Sequence, residues 1–186
     1  MKRLLIAALL LALAACRPSE SRLDDFGTVP RFQLTAPDGS TFDSGSLRGS
    51  VWVADFFFTS CGSICPMMSA HMHHIQQAIA DVPNAQLVSF TIDPWHDTPP
   101  VLAKYAALYH ASPARWHFLT GPQATLQRLD KDVFKLGNVD GSMTHSPRFV
   151  LVDGKGHIRG TYDTTDAGSI PKIIADLRSL AREKTL

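Results

Sequence analysis

The chain has 186 residues, 45% of them hydrophobic, with 18 lysine and arginine side chains against 17 aspartate and glutamate side chains. This length and apolar content predict one globular core and exclude a largely disordered chain. A formal net charge of +1 gives no electrostatic reason to expect nucleic acid as a partner. Three cysteines are too few for a disulfide scaffold, so each cysteine needs its own explanation.

Residues 1–15 are typical of a secretory signal peptide. A short basic start precedes an unbroken apolar run from Leu4 to Ala15, which is too short to span a bilayer permanently. The run ends in the sequence LAAC at Cys16, which resembles the lipobox of bacterial lipoproteins. This resemblance implies cleavage before Cys16 and lipidation of the cysteine.

The region after the signal peptide is predicted to be a tether. We expect a lipoprotein anchored in a membrane of the cell envelope and facing the periplasm. No aspartate follows Cys16, and that pattern resembles sorting to the outer membrane. Residues 16–30 are polar and contain proline, so we predict that they connect the lipid anchor to a folded domain at 31–186.

The rest of the chain alternates predicted strands and helices. An N-terminal hairpin is predicted from Phe32 to Asp43 around a Pro-Asp-Gly-Ser turn. The strands predicted after it are Val51–Phe58, Gln86–Ile92, Trp116–Leu119, Arg148–Val152 and His157–Tyr162. The predicted helices begin near Pro66, Pro99, Pro122 and Ser169, and the last three end near Tyr109, Phe134 and Arg182. The first helix is predicted to bury Met68, Met72, Ile75 and Ile79. This order predicts an α/β domain with helices on both faces of a mixed sheet.

Two cysteines, Cys61 and Cys65, lie where the first buried strand leads into the first helix. Pro66 is typical of the first helical position, so we predict Cys65 at the N-cap. Unpaired backbone N–H groups and the helix dipole favour a thiolate there. Gly62 allows the loop to fold back, so the pair can close a disulfide or bind a metal through two sulfurs. The residues alone leave both chemistries open.

A third ligand would decide between these chemistries. We choose His145, because it stands just before the predicted strand Arg148–Val152 on a loop able to face the cysteines. Position alone does not distinguish His145 from an ordinary loop histidine. His71 and His74 lie three residues apart on one helix face and are candidates for weak chelation. Solvated helix residues are the commoner role for such a pair, and we favour it here.

Asp93 and Asp97 lie in the proline-rich loop DPWHDTPP. Aspartate is typical of turns, and Asp97 is well placed to help start the helix at Pro99. Asp93 has a second interpretation, in which it tunes the cysteine loop without binding the metal itself. We assign neither carboxylate to catalysis.

Three motifs occur in the order seen in the Sco/SenC family: CxxxCP from Cys61, DPWHDTP from Asp93, and HS from His145. The chain resembles this family over nearly its whole length after the tether. The resemblance implies a thioredoxin-like fold and one copper ion per chain, Cu(I) or Cu(II), bound by Cys61, Cys65 and His145. Pro147 stands where thioredoxin-like proteins often place a cis-proline. Soft thiolates suit Cu(I), and an imidazole lets the same site accept Cu(II).

The resemblance also implies a function. We expect a membrane-tethered metallochaperone that transfers copper to, or matures, the copper site of a respiratory cytochrome c oxidase. The alternative is an enzyme, a thiol–disulfide oxidoreductase acting on the cysteines of a copper protein through a redox-active Cys61–Cys65 pair. Thioredoxins usually have two residues between the cysteines and tryptophan before them, whereas this chain has three residues and Ser60, which favours the metal. A peroxidase ranks last, because no group that would activate a peroxide is evident beyond a thiolate.

At three positions the chain departs from the family pattern, and these departures bear on which client protein would receive the copper. Many family members that act in oxidase assembly have Pro-Asp-Val between the cysteines, where this chain has Gly-Ser-Ile. Thr144 replaces an aspartate that often precedes the ligand histidine, and His96 replaces a common arginine. All three predicted ligands are intact. Loops around the metal would touch the recipient, so another copper protein is the alternative client.

Overall fold

The computed structural model describes residues 23–137 and 146–183. The predicted signal peptide, the lipidation site Cys16 and the predicted ligand His145 lie outside the described residues. None of the helices in the described ranges is both long enough and apolar enough to cross a membrane.

The predicted N-terminal hairpin is confirmed. Strand β1 (Gln33–Thr35) pairs antiparallel with β2 (Thr41–Asp43), and a backbone bridge from Thr35 to Thr120 joins the hairpin to the rest of the fold. Gly39 in the turn has φ 82°, a left-handed conformation that glycine adopts without steric cost. A 3-10 turn at Ser44–Leu47 follows.

A five-stranded mixed sheet forms the centre of the domain. Its strands are β3 (Val51–Phe57), β4 (Ala85–Thr91), β5 (Trp116–Leu119), β6 (Arg148–Val152) and β7 (Ile158–Asp163). The spatial order is β5-β4-β3-β6-β7, with β3, β4 and β5 parallel and with β6 antiparallel to both β3 and β7. Every residue of β3 is buried, as expected for a central strand covered on both faces.

Helices cover both faces of this sheet, as predicted. They are α1 (Cys65–Ala78), α2 (Pro99–Leu108), α3 (Gln123–Gln127) and α4 (Ser169–Arg182). Helices α1, α2 and α4 share one apolar cluster with alternate residues of β3, and the hairpin and α3 share the cluster on the opposite face. The predicted stripe is confirmed, because Met68, Met72 and Ile75 of α1 and its C-cap residue Ile79 are all fully buried.

Two local features differ from expectation. The single helix predicted from Pro122 to Phe134 is α3 followed by a π-helical segment, Arg128–Phe134. The apolar spacing did not separate the two, because Leu126, Leu129 and Val133 follow one another at intervals of three and four residues, as in an α-helix. The Ser146–Pro147 peptide bond is trans, which departs from the cis-proline expected of thioredoxin-like proteins.

Candidate metal centre

The two predicted cysteines lie at the carboxyl end of β3. A short loop after β3 carries Cys61, and α1 begins at Cys65. Pro66 is in the first helical turn, where its missing N–H group costs no helical hydrogen bond. The prediction that Cys65 caps the helix is wrong by one position. Ile64 is the N-cap and already has helical backbone angles, φ −86° and ψ −31°, so Cys65 is the first residue inside the helix.

The loop folds back so that the two thiols meet. The backbone N–H of Cys65 donates to Cys61 Sγ at 3.5 Å, and the two thiol side chains are also hydrogen-bonded to each other. The hydroxyl of Ser63 lies 3.5 Å from Cys61 Sγ. Cys65 is fully buried, whereas Cys61 is partly exposed. The structure therefore brings the cysteines together with only one sulfur open to a partner.

The two thiols differ in acidity. Partial burial acts to raise the pKa of Cys61, but hydrogen bonds from Cys65 and Ser63 outweigh it and lower the pKa to about 7. Burial raises the pKa of Cys65 above its usual range, and the hydrogen bond with Cys61 raises it further. The expectation of a favoured thiolate at Cys65 is therefore wrong. Burial disfavours its charged form, and Cys61 is the more acidic thiol.

A buried carboxylate, that of Asp97, fixes the start of the cysteine loop. It accepts hydrogen bonds from the backbone N–H of Thr59 at 3.1 Å and from the hydroxyl of Thr59 at 2.5 Å. The hydroxyl of Thr91, at the end of β4, donates to the same carboxylate at 2.5 Å. Asp97 does not cap α2, since the N-cap of that helix is Thr98. The DPWHDTPP motif marked Asp97 in the sequence, but its role depends on strands that are distant along the chain.

The other candidates remain apart from the cysteines. The carboxylate of Asp93 accepts a hydrogen bond from the backbone of His96 at 3.4 Å, which is the turn role expected for it. His74 is exposed and His71 is half-buried. Burial, followed by the charge of His74, lowers the pKa of His71. Within the described ranges, no group of three histidine, cysteine, aspartate or glutamate side chains is placed to hold a metal ion.

The described chain resumes at Ser146, one residue after His145, near the end of the sheet that carries the cysteine loop. Strand β6 pairs antiparallel with β3, so β6 begins at the end of the sheet where β3 ends. The carbonyl of Pro147, just before β6, accepts hydrogen bonds from the backbone N–H and the hydroxyl of Thr164, both at 2.8 Å. Thr164 is itself buried. These contacts hold the entry to β6 at the cysteine end of the sheet.

The chemistry of the described donors fits a soft metal ion. Two adjacent sulfurs provide thiolate ligands once the metal displaces their protons, and the more acidic Cys61 loses its proton near neutral pH. Thiolates select ions such as Cu(I) among the biological metals. The same pair can instead be oxidised to a disulfide. The geometry of the pair is therefore compatible with metal binding and with redox exchange.

Comparison of the sequence with known proteins identifies a family. The profile of the SCO1/SenC family matches residues 21–182 of the chain. The SCO1 protein homolog of Bacillus subtilis (strain 168) is 32% identical over 189 residues, and the match covers 98% of each chain.

Comparison of the structure agrees with the sequence match. BsSco, described as a member of the Sco family of cytochrome c oxidase assembly proteins with a disulfide switch, has a TM-score of 0.76 and 32% identity. That match covers 88% of this chain and 100% of BsSco. Copper-bound ScoI of Bradyrhizobium japonicum shares the fold, with a TM-score of 0.68 and 22% identity over 83% of this chain and 99% of ScoI. The predicted thioredoxin-like fold is confirmed. The chain belongs to the SCO1/SenC family.

Proposed function

We propose that this protein is a membrane-tethered copper chaperone that matures the copper site of a respiratory cytochrome c oxidase. Copper is its cargo, and the proposed ligands are Cys61, Cys65 and His145. Two relatives support the proposal. BsSco belongs to a family of cytochrome c oxidase assembly proteins, and ScoI has a copper-bound structure.

The observation that carries the proposal is that two chain segments lie at the same end of the sheet. One segment is the loop in which the backbone of Cys65 donates to Cys61 Sγ. The other is the entry to β6, held through Pro147 by Thr164. The residue that precedes Ser146 in the sequence is His145. We propose its imidazole as the third ligand for the two sulfurs.

A site with two thiolates and one imidazole suits transfer better than permanent storage. Three ligands leave the ion one open side, where a thiolate of the recipient can bind before a ligand of the donor leaves. Cys61 is the partly exposed ligand, so exchange would proceed from its side. A disulfide between Cys61 and Cys65 would remove both thiolates, so copper loading requires the reduced pair.

The tether completes the proposed arrangement. Lipidation of Cys16 would anchor the chain in the envelope membrane, and residues 16–30 would let the domain reach a membrane-bound oxidase. Each acyl CH₂ group buried in the bilayer contributes about 0.8 kcal/mol, so several chains hold a protein durably.

A second function, thiol–disulfide exchange with the cysteines of a copper protein, is favoured by the unequal acidity of the pair. Cys61 has a pKa of about 7 and is partly exposed, as an attacking thiol requires. Cys65 is buried beside it and can close the disulfide. This chemistry needs no histidine ligand, so His145 distinguishes it from the chaperone.

Copper titration tests the proposal. The reduced full chain, kept in detergent micelles, is titrated with Cu(I) against a competing chelator, beside the variant His145→Ala. His157→Ala is the matched control, because His157 lies at the opposite end of β6 and pairs with Asp25.

The expected result is one tightly held copper ion per chain, weakened by His145→Ala and unchanged by His157→Ala. Loss of an entire ligand should lower the affinity at least about tenfold, since removing only a group that supports a ligand costs about 10- to 100-fold. An equal affinity in wild type and His145→Ala would exclude the three-ligand site. The thiol–disulfide enzyme would then be the better proposal.

A further inference from the structure

A histidine of one helix and a histidine just after another helix meet away from the cysteine loop. The ring of His73, on α1, and the ring of His110, just beyond α2, have centroids 5.9 Å apart and planes inclined by 58°. His73 follows Cys65 by eight residues, which is roughly 12 Å along a helix that rises 1.5 Å per residue. The histidine pair is therefore separate from the proposed copper ligands.

The backbone of His110 is held against α1 by one side chain. The amide nitrogen of Gln76 donates to the carbonyl of His110 at 3.1 Å, and the amide oxygen of Gln76 accepts from the backbone of Ser112 at 2.8 Å. His110 has φ 51°, in the left-handed region that glycine usually occupies after a helix. The chain thus keeps an imidazole at a position where glycine would be less strained.

The half-buried His73 has a nitrogen that lacks a partner. Its Nδ1 atom is buried and makes no hydrogen bond within the described structure. A buried polar atom without a partner lowers stability, and coordination to a metal ion would satisfy it. With metal–nitrogen bonds of about 2.0–2.1 Å, two imidazoles on one ion have centroids roughly 4.5 to 6.5 Å apart, as the angle at the metal goes from about 90° to about 180°. The observed separation lies in this range.

We propose that His73 and His110 form a second copper site, which binds Cu(II) through two imidazoles and completes its coordination with water on the exposed side of His110. Imidazole suits borderline metals, and Cu(II) is the most tightly bound of the first-row divalent ions. The described ranges contain no third histidine, cysteine or carboxylate that joins such a site. That disfavours Zn(II), which takes four protein ligands in structural sites. The site goes beyond the proposed chaperone function and needs neither cysteine.

The test removes the first site before the second is measured. The full chain with Cys61→Ser, Cys65→Ser and His145→Ala retains none of the proposed ligands of the first site, and it has no thiol pair that could reduce Cu(II). This background is titrated with Cu(II) in detergent micelles, and nitrogen coupling is recorded by electron paramagnetic resonance. His73→Gln and His110→Asn are added separately, because asparagine tolerates the left-handed backbone of residue 110.

The expected result is one Cu(II) ion with coupling to two imidazole nitrogens, and an affinity that falls at least about tenfold in either variant. The matched control is the double variant His71→Gln and His74→Gln, which should leave the affinity and the spectrum unchanged. Circular dichroism checks that each variant is folded. If the background chain is not folded, Cys61→Ala and Cys65→Ala replace the two serine substitutions. Binding that survives both single variants, or that is lost in the control instead, overturns the proposal. Because the background lacks the first site, absence of Cu(II) binding in it leaves the chaperone proposal intact. A failure of the Cu(I) titration at the first site likewise leaves the proposal of a second site intact.

Discussion

The carboxylate of Asp97 binds both the backbone and the side chain of Thr59, although 38 residues separate the two positions. Thr59 is the second residue after β3, and Cys61 is the second residue after Thr59. A buried carboxyl group that accepts several hydrogen bonds is costly to disturb, because its oxygens lose their partners without regaining water. Asp97 therefore positions the start of the cysteine loop through Thr59.

Thr59→Val removes one donor to Asp97 and nearly preserves the shape of the side chain. We expect the free energy of unfolding to fall by about 1–3 kcal/mol, the usual cost of leaving a buried acceptor without one of its partners. Cu(I) affinity should fall as well, because the loop that carries Cys61 loses a fixed point. Denaturant unfolding and competitive copper titration measure the two effects.

Ser46→Ala is the control for this prediction. It removes an exposed hydroxyl bonded to the carbonyl of Asp43 and should change neither stability nor copper affinity. Unaltered copper affinity in Thr59→Val would show that Asp97 supports only the fold.

Alkylation should distinguish the two thiols. The pKa of Cys61 is lowered to about 7 and that of Cys65 is raised, so near neutral pH the thiolate forms mainly on Cys61. We expect iodoacetamide to modify Cys61 first in the reduced chain, with a rate that rises through pH 7. Peptide mapping by mass spectrometry at several pH values measures the rate at each site.

The variant Cys65→Ala tests the cause of that acidity. It removes the thiol that hydrogen-bonds to Cys61, so the midpoint of Cys61 alkylation should move to higher pH. Cys65→Ser retains a hydroxyl donor and should move the midpoint less. A midpoint that is the same in wild type and both variants would contradict the role assigned to this hydrogen bond.

Asp55 should make stability depend on pH. It is a buried residue of β3, and burial raises its pKa from 3.8 to about 7 although the hydroxyl of Ser89 donates to it. Between about pH 4 and pH 7 the folded chain keeps a proton that the unfolded chain has released, so stability falls as pH rises through this window. Asp55→Asn removes this titration. The free energy of unfolding of the variant, relative to wild type, should therefore increase by up to about 1.4 kcal/mol per pH unit across the window.

Asp130 contributes to the same window and must be separated from Asp55. Burial raises its pKa to about 7, and neither of its carboxylate oxygens is hydrogen-bonded within the described structure. Urea unfolding of wild type, Asp55→Asn and Asp130→Asn from pH 4 to pH 8 separates the two contributions. Each variant should lose part of the pH dependence. Parallel curves for wild type and Asp55→Asn would show that Asp55 ionises normally in the folded chain.

Cys16→Ser tests the proposed lipid anchor. Cells grown with a fatty acid that carries a chemical tag should label the wild-type chain and should not label the variant. Cys61→Ser is the matched control and should be labelled like wild type. Release of the variant from membranes is also expected, but the label decides the question, since an uncleaved run from Leu4 to Ala15 would itself hold a chain at the membrane. A labelled Cys16→Ser chain would disprove lipidation at this residue.

Local patterns in the sequence predicted most of the fold. The bounds predicted for Trp116–Leu119, Arg148–Val152 and the helix Ser169–Arg182 match β5, β6 and α4. Those signals are local, because strands and helices bury residues at their own periods and turn residues limit their ends. The π-helical segment Arg128–Phe134 was missed, since its apolar positions repeat much like those of an α-helix.

The candidate metal centre was only partly predictable. The proximity of Cys61 and Cys65 followed from their spacing and from Pro66, which are local features. The order of their acidities did not, because it depends on how deeply α1 buries one thiol against the sheet. Contact between His73 and His110 was also missed, because sequence spacing pointed to His71 and His74.

The sequence by itself determined the class of the protein, through short-range features that need no tertiary contact: a CxxxCP motif and alternating strand and helix periods. The tertiary structure decided which thiol is acidic, which carboxylate holds the cysteine loop and which histidines meet. Each of these depends on burial and on contacts between segments distant along the chain. Desolvation and hydrogen bonding act on side chains according to their position in space, and only the packed sheet and helices set those positions.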